Sequence, residues 1–162
     1  MVYTRHELFL PTGGICPIPM DTTFIIGSSG SVGSRNWIRL LSFVQTLNTL
    51  FGVSPSGSHV ALIPYSTDAK LALKFNTLPD SLLNVAEVNR QIARLRWQRG
   101  FNRIDKAMEL AAKEGLTTAA GIRDVSKVNW MHIVVKVIVL MIMFFEHTPV
   151  SFDFTFSLSR KP

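Results

Sequence analysis

The stretch Gly27-Ser28-Ser29-Gly30-Ser31-Val32-Gly33 holds the residues whose types and spacing come nearest to chemistry. Clustered hydroxyls can serve as nucleophiles, help cradle a phosphate, ligate a hard cation, or cap a helix and satisfy loop amides. A nucleophile elbow centred on Ser29 needs a glycine two residues before and another two after. Gly27 meets the first requirement, but Ser31 occupies the second position, and no Asp and His pair follows in strand-end contexts. A phosphate-binding loop needs Gly-Lys-Ser/Thr, which is absent. The four histidines, His6, His59, His132 and His147, lack the spacing of zinc ligands. These residues argue against an enzyme. The residue-level reading gives the serines a capping and amide-satisfying role.

The loop needs elements on either side to hold it. Thr22 to Ile26 is a short β-branched and aromatic run, which predicts a buried strand ending at Gly27. After the loop, Trp37, Leu40, Leu41, Val44, Leu47 and Phe51 fall on one helical stripe, with Ser34 as the expected N-cap and Gly52 just past the last turn. Val60 to Ile63 is a continuous apolar run, as for an interior parallel strand; Pro64 is expected to end its ladder, and Tyr65 to Asp68 to turn. Leu71, Leu73 and Phe75 alternate with Ala72 and Lys74, which predicts an edge strand. Val85, Val88, Ile92 and Leu95 predict a helix capped by Asn84. Ile104, Met108 and Ala111 or Ala112 predict another, with Asp105 in its first turn and Gly115 at its end. Strand, loop and helix form the first half of a βαβ unit, and ligands of such sheets bind at the carboxyl ends of the strands.

Together these residues resemble the opening of a von Willebrand factor A domain. Its first strand ends in Asp-x-Ser-x-Ser, matched here by Ser29 and Ser31 but with Gly27 where the Asp belongs. The Tyr65-Ser66 turn, the hairpin after it, the Asp105-Lys106-Ala107 helix and Gly121 to Lys127 add to the resemblance, which runs from Asp21 to Lys127. It implies an α/β fold, a doubly wound and mostly parallel sheet flanked by helices, incomplete at the C-terminus. The expected division is an extended lead-in over 1–20, the domain over 21–145 and a divergent extension over 146–162. The strands at Phe24–Ile26 and Val60–Ile63 are expected to be neighbours, with the Trp37–Phe51 helix packed on them.

The resemblance also implies a metal-ion-dependent adhesion site that usually holds magnesium. Its first loop supplies Asp and two Ser, its second Thr and its third Asp. Here Gly27 replaces the first Asp, and the second loop reads Gly100-Phe101-Asn102, with the Asn102 amide in place of the Thr hydroxyl. The third carboxylate falls on Met143 if Lys136–Val139 is the strand, or on Val134 if Lys127-Val128 starts it. The expected binding residues are therefore Ser29, Ser31 and Asn102, with no metal and no cofactor. A divalent ion favours oxygen ligands that include carboxylate. Asp21 lies at the far end of the strand, and Asp105 lies on a helix. The implied role is a non-enzymatic, metal-independent interaction module of an extracellular matrix or adhesion protein, with a matrix or cell-surface protein as partner. The alternatives are a truncated or non-functional fragment and a membrane-associated variant through residues 130–145.

Composition bounds these readings. The 162 residues suffice for one domain with a core, and 47% are hydrophobic. The net charge of +6 and pI of 9.9 favour acidic partners without identifying one. Arginines concentrate between Arg90 and Arg103, read as a solvated face or as a site for acidic polysaccharide, lipid or nucleic acid. Trp97 alone interleaves them, which argues against nucleic acid. Cys16 is the only cysteine, so no internal disulfide forms. Met1 to Leu10 does not read as a signal peptide. Ile133 to Phe145 is apolar except for Lys136, long for one strand and short for a membrane span of about 20 residues. It reads as a buried strand, with Lys136–Leu140 beside strand one. Phe152, Phe154, Phe156 and Leu158 alternate with Asp153, Thr155 and Ser157, which predicts a half-buried strand.

Overall fold

The computed structural model describes residues 19–124 in full, and the backbone of two further strands, 129–136 and 153–158. Residues 1–18 with Cys16, the Lys127-Val128 pair and residues 137–152 with Met143 lie outside the described residues, and Met20, expected to close the lead-in, already belongs to the first strand.

Strand β1 (Met20–Gly27) is buried at all eight positions. Strand β2 (His59–Tyr65) pairs with it in parallel, Phe24 opposite Leu62 and Gly27 opposite Tyr65. Strand β3 (Asn129–Lys136) pairs in parallel along its other side, Met20 opposite Asn129 and Ile26 opposite Val135. Strand β4 (Asp153–Leu158) joins β3 antiparallel, so the order is β2-β1-β3-β4. The strand beside β1 is therefore 129–136; of the strand expected at Lys136–Leu140 only Lys136 is described, at the end of β3, and 137–140 lie outside the described residues. Val134 pairs with Ile25 inside it, so the register that put Val134 in a loop is wrong. Residues 129–136 form a strand, which takes 130–136 out of the alternative membrane segment over 130–145. Among the described residues no helix is long and apolar enough to cross a membrane.

Alternation along β1 splits the core between two faces. Phe24 and Ile26, with Val60 and Leu62, pack against Trp37, Leu40 and Val44 of helix α1 (Ser34–Phe51) and Val88 and Ile92 of helix α2 (Val85–Ala93). Phe51 also stacks on Phe24, with centroids 6.1 Å apart. Ile25, Ile63 and Tyr65 meet Ala107 and Ala111 on the opposite face, from helix α3 (Ile104–Leu110) and the π-helical turn after it. Helices on both faces make the sheet doubly wound, and at about 25 cal/mol per Å² the buried apolar stripes supply much of the stability.

Local chemistry sets the element ends. The Asn84 side chain caps α2 as expected, accepting from the Glu87 N–H at 2.9 Å. Gly52 ends α1 at φ 62, a left-handed conformation that favours glycine. Ser34, expected as the α1 cap, is instead its first helical residue, and Gly33 stands at the cap without a side-chain bond. Pro64 stays in β2 opposite Ile26. The Leu62 N–H and the Pro64 carbonyl both bond outward, to Leu73 and Lys70, so the proline sits where no N–H is owed to β1. The expected edge strand at 71–75 keeps its alternation, with Leu73 and Phe75 buried, but pairs with β2 only through single bridges such as Leu62–Leu73. Met108 is half exposed; α3 turns its alanines to the sheet, and Ala107 and Ala111 allow close approach.

One contact was not legible in the sequence. Asp21 is fully buried, and Arg123 grips it from 102 residues away. The Arg123 backbone N–H donates to Oδ2 at 2.7 Å, and Nε and Nη2 donate to Oδ1 at 2.8 and 2.5 Å. Removing one partner of a buried pair strands the other charge. Arg123→Met should cost about 3 kcal/mol in urea unfolding, more than Asp21→Asn, which leaves Arg123 part-solvated. Equal or negligible losses would contradict this account of the pair.

Candidate functional site

β1 and β2 end side by side, and three loops meet there. After Gly27 the chain turns through Ser28 and Ser29 into a single 3-10 turn, Gly30–Val32, and then into α1. The Ser28 amide and hydroxyl both donate to the Tyr65 carbonyl, at 2.7 and 2.9 Å. The Gly30 N–H donates to the Gly100 carbonyl at 2.9 Å, and the Trp97 indole N–H donates to the Ser29 carbonyl at 2.9 Å. The Ser66 hydroxyl donates to the Gln98 amide oxygen at 2.9 Å, and the Phe101 N–H donates to the Thr67 hydroxyl at 3.1 Å. The loop after β1, the turn after β2 and the 97–103 segment are thus joined by direct hydrogen bonds. Arg99 and Gly100 take φ of 64 and 61, and a side chain at position 100 would meet the Thr67 hydroxyl at 2.4 Å. That close approach explains glycine there.

Ser29 and Ser31 come together, their hydroxyls 3.0 Å apart. Ser29 is nearly buried, while Ser31 is exposed. Asn102 lies exposed in the adjoining segment, two residues past the carbonyl that holds Gly30. Phe101 beside it is 78% exposed.

Gly27 faces Tyr65. A Cβ at position 27 would lie 3.2 Å from the Tyr65 hydroxyl, tighter than ordinary contact. That hydroxyl is buried with no hydrogen-bond partner among the described residues, and burial pushes its pKa up to about 12. The tyrosine therefore fills the space beside the missing side chain. The nearby carboxylates are already engaged. Arg103 binds both Asp105 oxygens, by Nε at 2.9 and 3.1 Å and by Nη2 at 2.6 Å. That hydrogen-bonded pair holds the Asp105 carboxyl down at about 2. Lys106 pairs with Asp68.

Comparison with known proteins places this geometry in a family. The von Willebrand factor type A domain profile matches residues 21–142, and the chain belongs to that family. The chain is 27% identical over 100 residues to Cuticlin-6 of Caenorhabditis elegans, 62% of this chain and 17% of that protein. It is 28% identical over 107 residues to human Collagen alpha-1(XX) chain, 66% of this chain and 8% of that one, and 26% identical over 111 residues to mouse Matrilin-3, 68% and 22%. The chain thus spans less than a quarter of each of these relatives. Proximal thread matrix protein 1 of the mussel byssus shares the fold, with a TM-score of 0.66 over 74% of this chain and 31% of that one at 17% identity. Another structure of that protein, with a TM-score of 0.56, has a zinc-occupied MIDAS motif.

The residues present in the two described loops do not fit such an ion. Their donors are two hydroxyls bonded to each other and a neutral amide, and a hard divalent ion favours carboxylate oxygen. Among the described residues no group of three metal-ligating side chains converges. No chemical step is therefore assigned to a metal here.

The Gly27–Tyr65 contact can be tested by a double-mutant cycle. Gly27→Ala should destabilise by about 1–3 kcal/mol through overpacking, and adding Tyr65→Phe should recover most of the loss. Tyr65→Phe alone should be neutral or slightly stabilising, because an unsatisfied hydroxyl is removed. The folded pKa of Tyr65 is raised, so its contribution is whole below the ordinary value of 10.0 and falls as pH rises towards 12. Tyr65→Phe should weaken this alkaline loss in unfolding measurements. Additive effects in the cycle, or an unchanged alkaline limb, would contradict the assignment.

Proposed function

We propose that this chain is a non-enzymatic, extracellular adhesion module that recognises a matrix or cell-surface protein through its carboxyl-end loops without a bound metal. Its family membership and its similarity to a collagen chain and a matrilin support the interaction role. The observation that carries metal independence is the donor set. Gly27 stands where the first carboxylate belongs, and Asp105 and Asp68 are held by Arg103 and Lys106. Direct hydrogen bonds between protein groups join the loop after β1, the turn after β2 and the 97–103 segment, which supports a surface organised without an ion.

On this reading Ser29 positions rather than contacts, since it is nearly buried and bonds to Ser31. Ser31 and Asn102 offer exposed polar groups. Phe101 supplies the apolar anchor, as aromatic side chains often do at the centre of an interface. The residues do not favour nucleic acid as the partner. The Trp97 face is covered by Arg99 at 4.9 Å, and its N–H is bound to Ser29, so no free ring is offered to a base.

Titration calorimetry with magnesium and manganese tests the metal claim. The unmodified chain should give no saturable heat, and Gly27→Asp should bind weakly at most. A dissociation constant in the micromolar range for the unmodified chain would overturn it. Adhesion to immobilised matrix proteins should survive chelation, and Phe101→Ala should weaken it by about 2 kcal/mol.

A further inference from the structure

The ion pairs are unevenly distributed. Arg90, Arg103, Lys106, Lys113 and Arg123 each hold a carboxylate. Arg35, Arg39, Lys74 and Arg99 hold none among the described residues, and neither do Lys70, Arg94 and Arg96. Yet these three line one cavity of about 310 Å³, together with Gln98 and the apolar groups of Pro64, Ala72 and Leu95. Among the described residues no acidic one lines it. Like charges at one concavity repel, and a surface meant only for solubility would intersperse the two signs.

The backbone explains how they meet. Arg94 closes α2 at its C-terminus, and the chain then runs without regular structure to Arg99, carrying Leu95, Arg96 and Gln98 past β2. Lys70 comes from the outer side of β2, where its N–H bonds the Pro64 carbonyl at 3.1 Å. The Gln98 oxygen is taken by Ser66, which leaves its amide N–H groups as donors.

We propose that this cavity binds a sulfated polysaccharide, a sulfate group entering between Arg94, Arg96 and Lys70. Guanidinium forks match oxyanions bidentately, and a lysine adds a mobile point charge. Arg99, parked over Trp97 beyond the cavity, extends the positive track along a polymer that carries repeated charges. A nucleic acid would need a stacking platform, which the covered Trp97 does not give. A bilayer would need protruding apolar groups, and the exposed ones, Ile38, Leu82, Phe101 and Met108, do not line the cavity. The choice of polysaccharide rests on the matrix setting proposed above; the charge cluster does not.

Heparin, titrated into the full chain by calorimetry, is the probe, beside unsulfated hyaluronan, a single-stranded oligonucleotide and phosphatidylserine vesicles. Heparin should bind tightest, and its binding should weaken with salt. Arg94→Gln with Arg96→Gln should weaken it at least about tenfold, and Lys70→Gln should do so in the same direction. Arg35→Gln with Arg39→Gln removes the same charge from α1 and should change it less than about twofold. Thermal melts establish that each variant is folded. Equal losses in the two double variants, no heparin binding, or tighter binding to oligonucleotide or vesicles would overturn the proposal. Phe101→Ala should leave heparin binding unchanged, so failure of the protein-adhesion reading and failure of this one are separable.

Discussion

Complete burial of β1 is the constraint on which the rest depends. A strand with both faces covered and both edges paired leaves its backbone polar groups no water, so each needs a protein partner, whereas the Thr22 and Thr23 hydroxyls find none among the described residues. Parallel pairing with β2 and β3 satisfies the ladder. The ends need separate solutions. At the amino end the Arg123 guanidinium and backbone hold the Asp21 carboxylate, and the Met20 N–H donates to the Ser58 hydroxyl at 3.2 Å. At the carboxyl end the Tyr65 and Gly100 carbonyls receive the Ser28 and Gly30 amides. The loops at the carboxyl end are thus fixed by the same need that fixes the sheet.

This has a consequence for the site. In the adhesion site that the family implies, a carboxylate and a cation would occupy the end of β1. Here Gly27 stands at the position of that carboxylate with the Tyr65 hydroxyl beside it, and hydrogen bonds join the described loops. Charge around it is carried by Arg99 over Trp97 and by the cations lining the neighbouring cavity.

Much of the fold was legible because it rests on local patterns. The buried run of β1, the α1 stripe, the Asn84 cap and the final alternating strand each follow from residues close together in sequence. The misreadings have one cause, which is tertiary context. Pro64 is harmless because the missing N–H points away from β1, and only pairing reveals that direction. Met108 looked like a core residue until the close approach of α3 favoured Ala107 and Ala111. The strand beside β1 began at Asn129 because its register is set by β1 rather than by where its apolar run is densest. At the site, the Ser29–Ser31 pair followed from spacing alone. The Trp97 bond to Ser29 spans 68 residues, and the Asp21–Arg123 pair spans 102, so nothing local signalled either. A lone tryptophan among arginines and a lone aspartate at the head of an apolar run were the only hints.

Amide hydrogen exchange at the loops tests the central claim most directly. If protein groups alone organise the recognition surface, the Gly30 amide, the Phe101 amide and the Trp97 indole N–H are protected in the presence of chelator. Adding millimolar magnesium or manganese then leaves their exchange rates unchanged. Protection that appears only when the ion is added would contradict the account, because the cation would then be organising the loops.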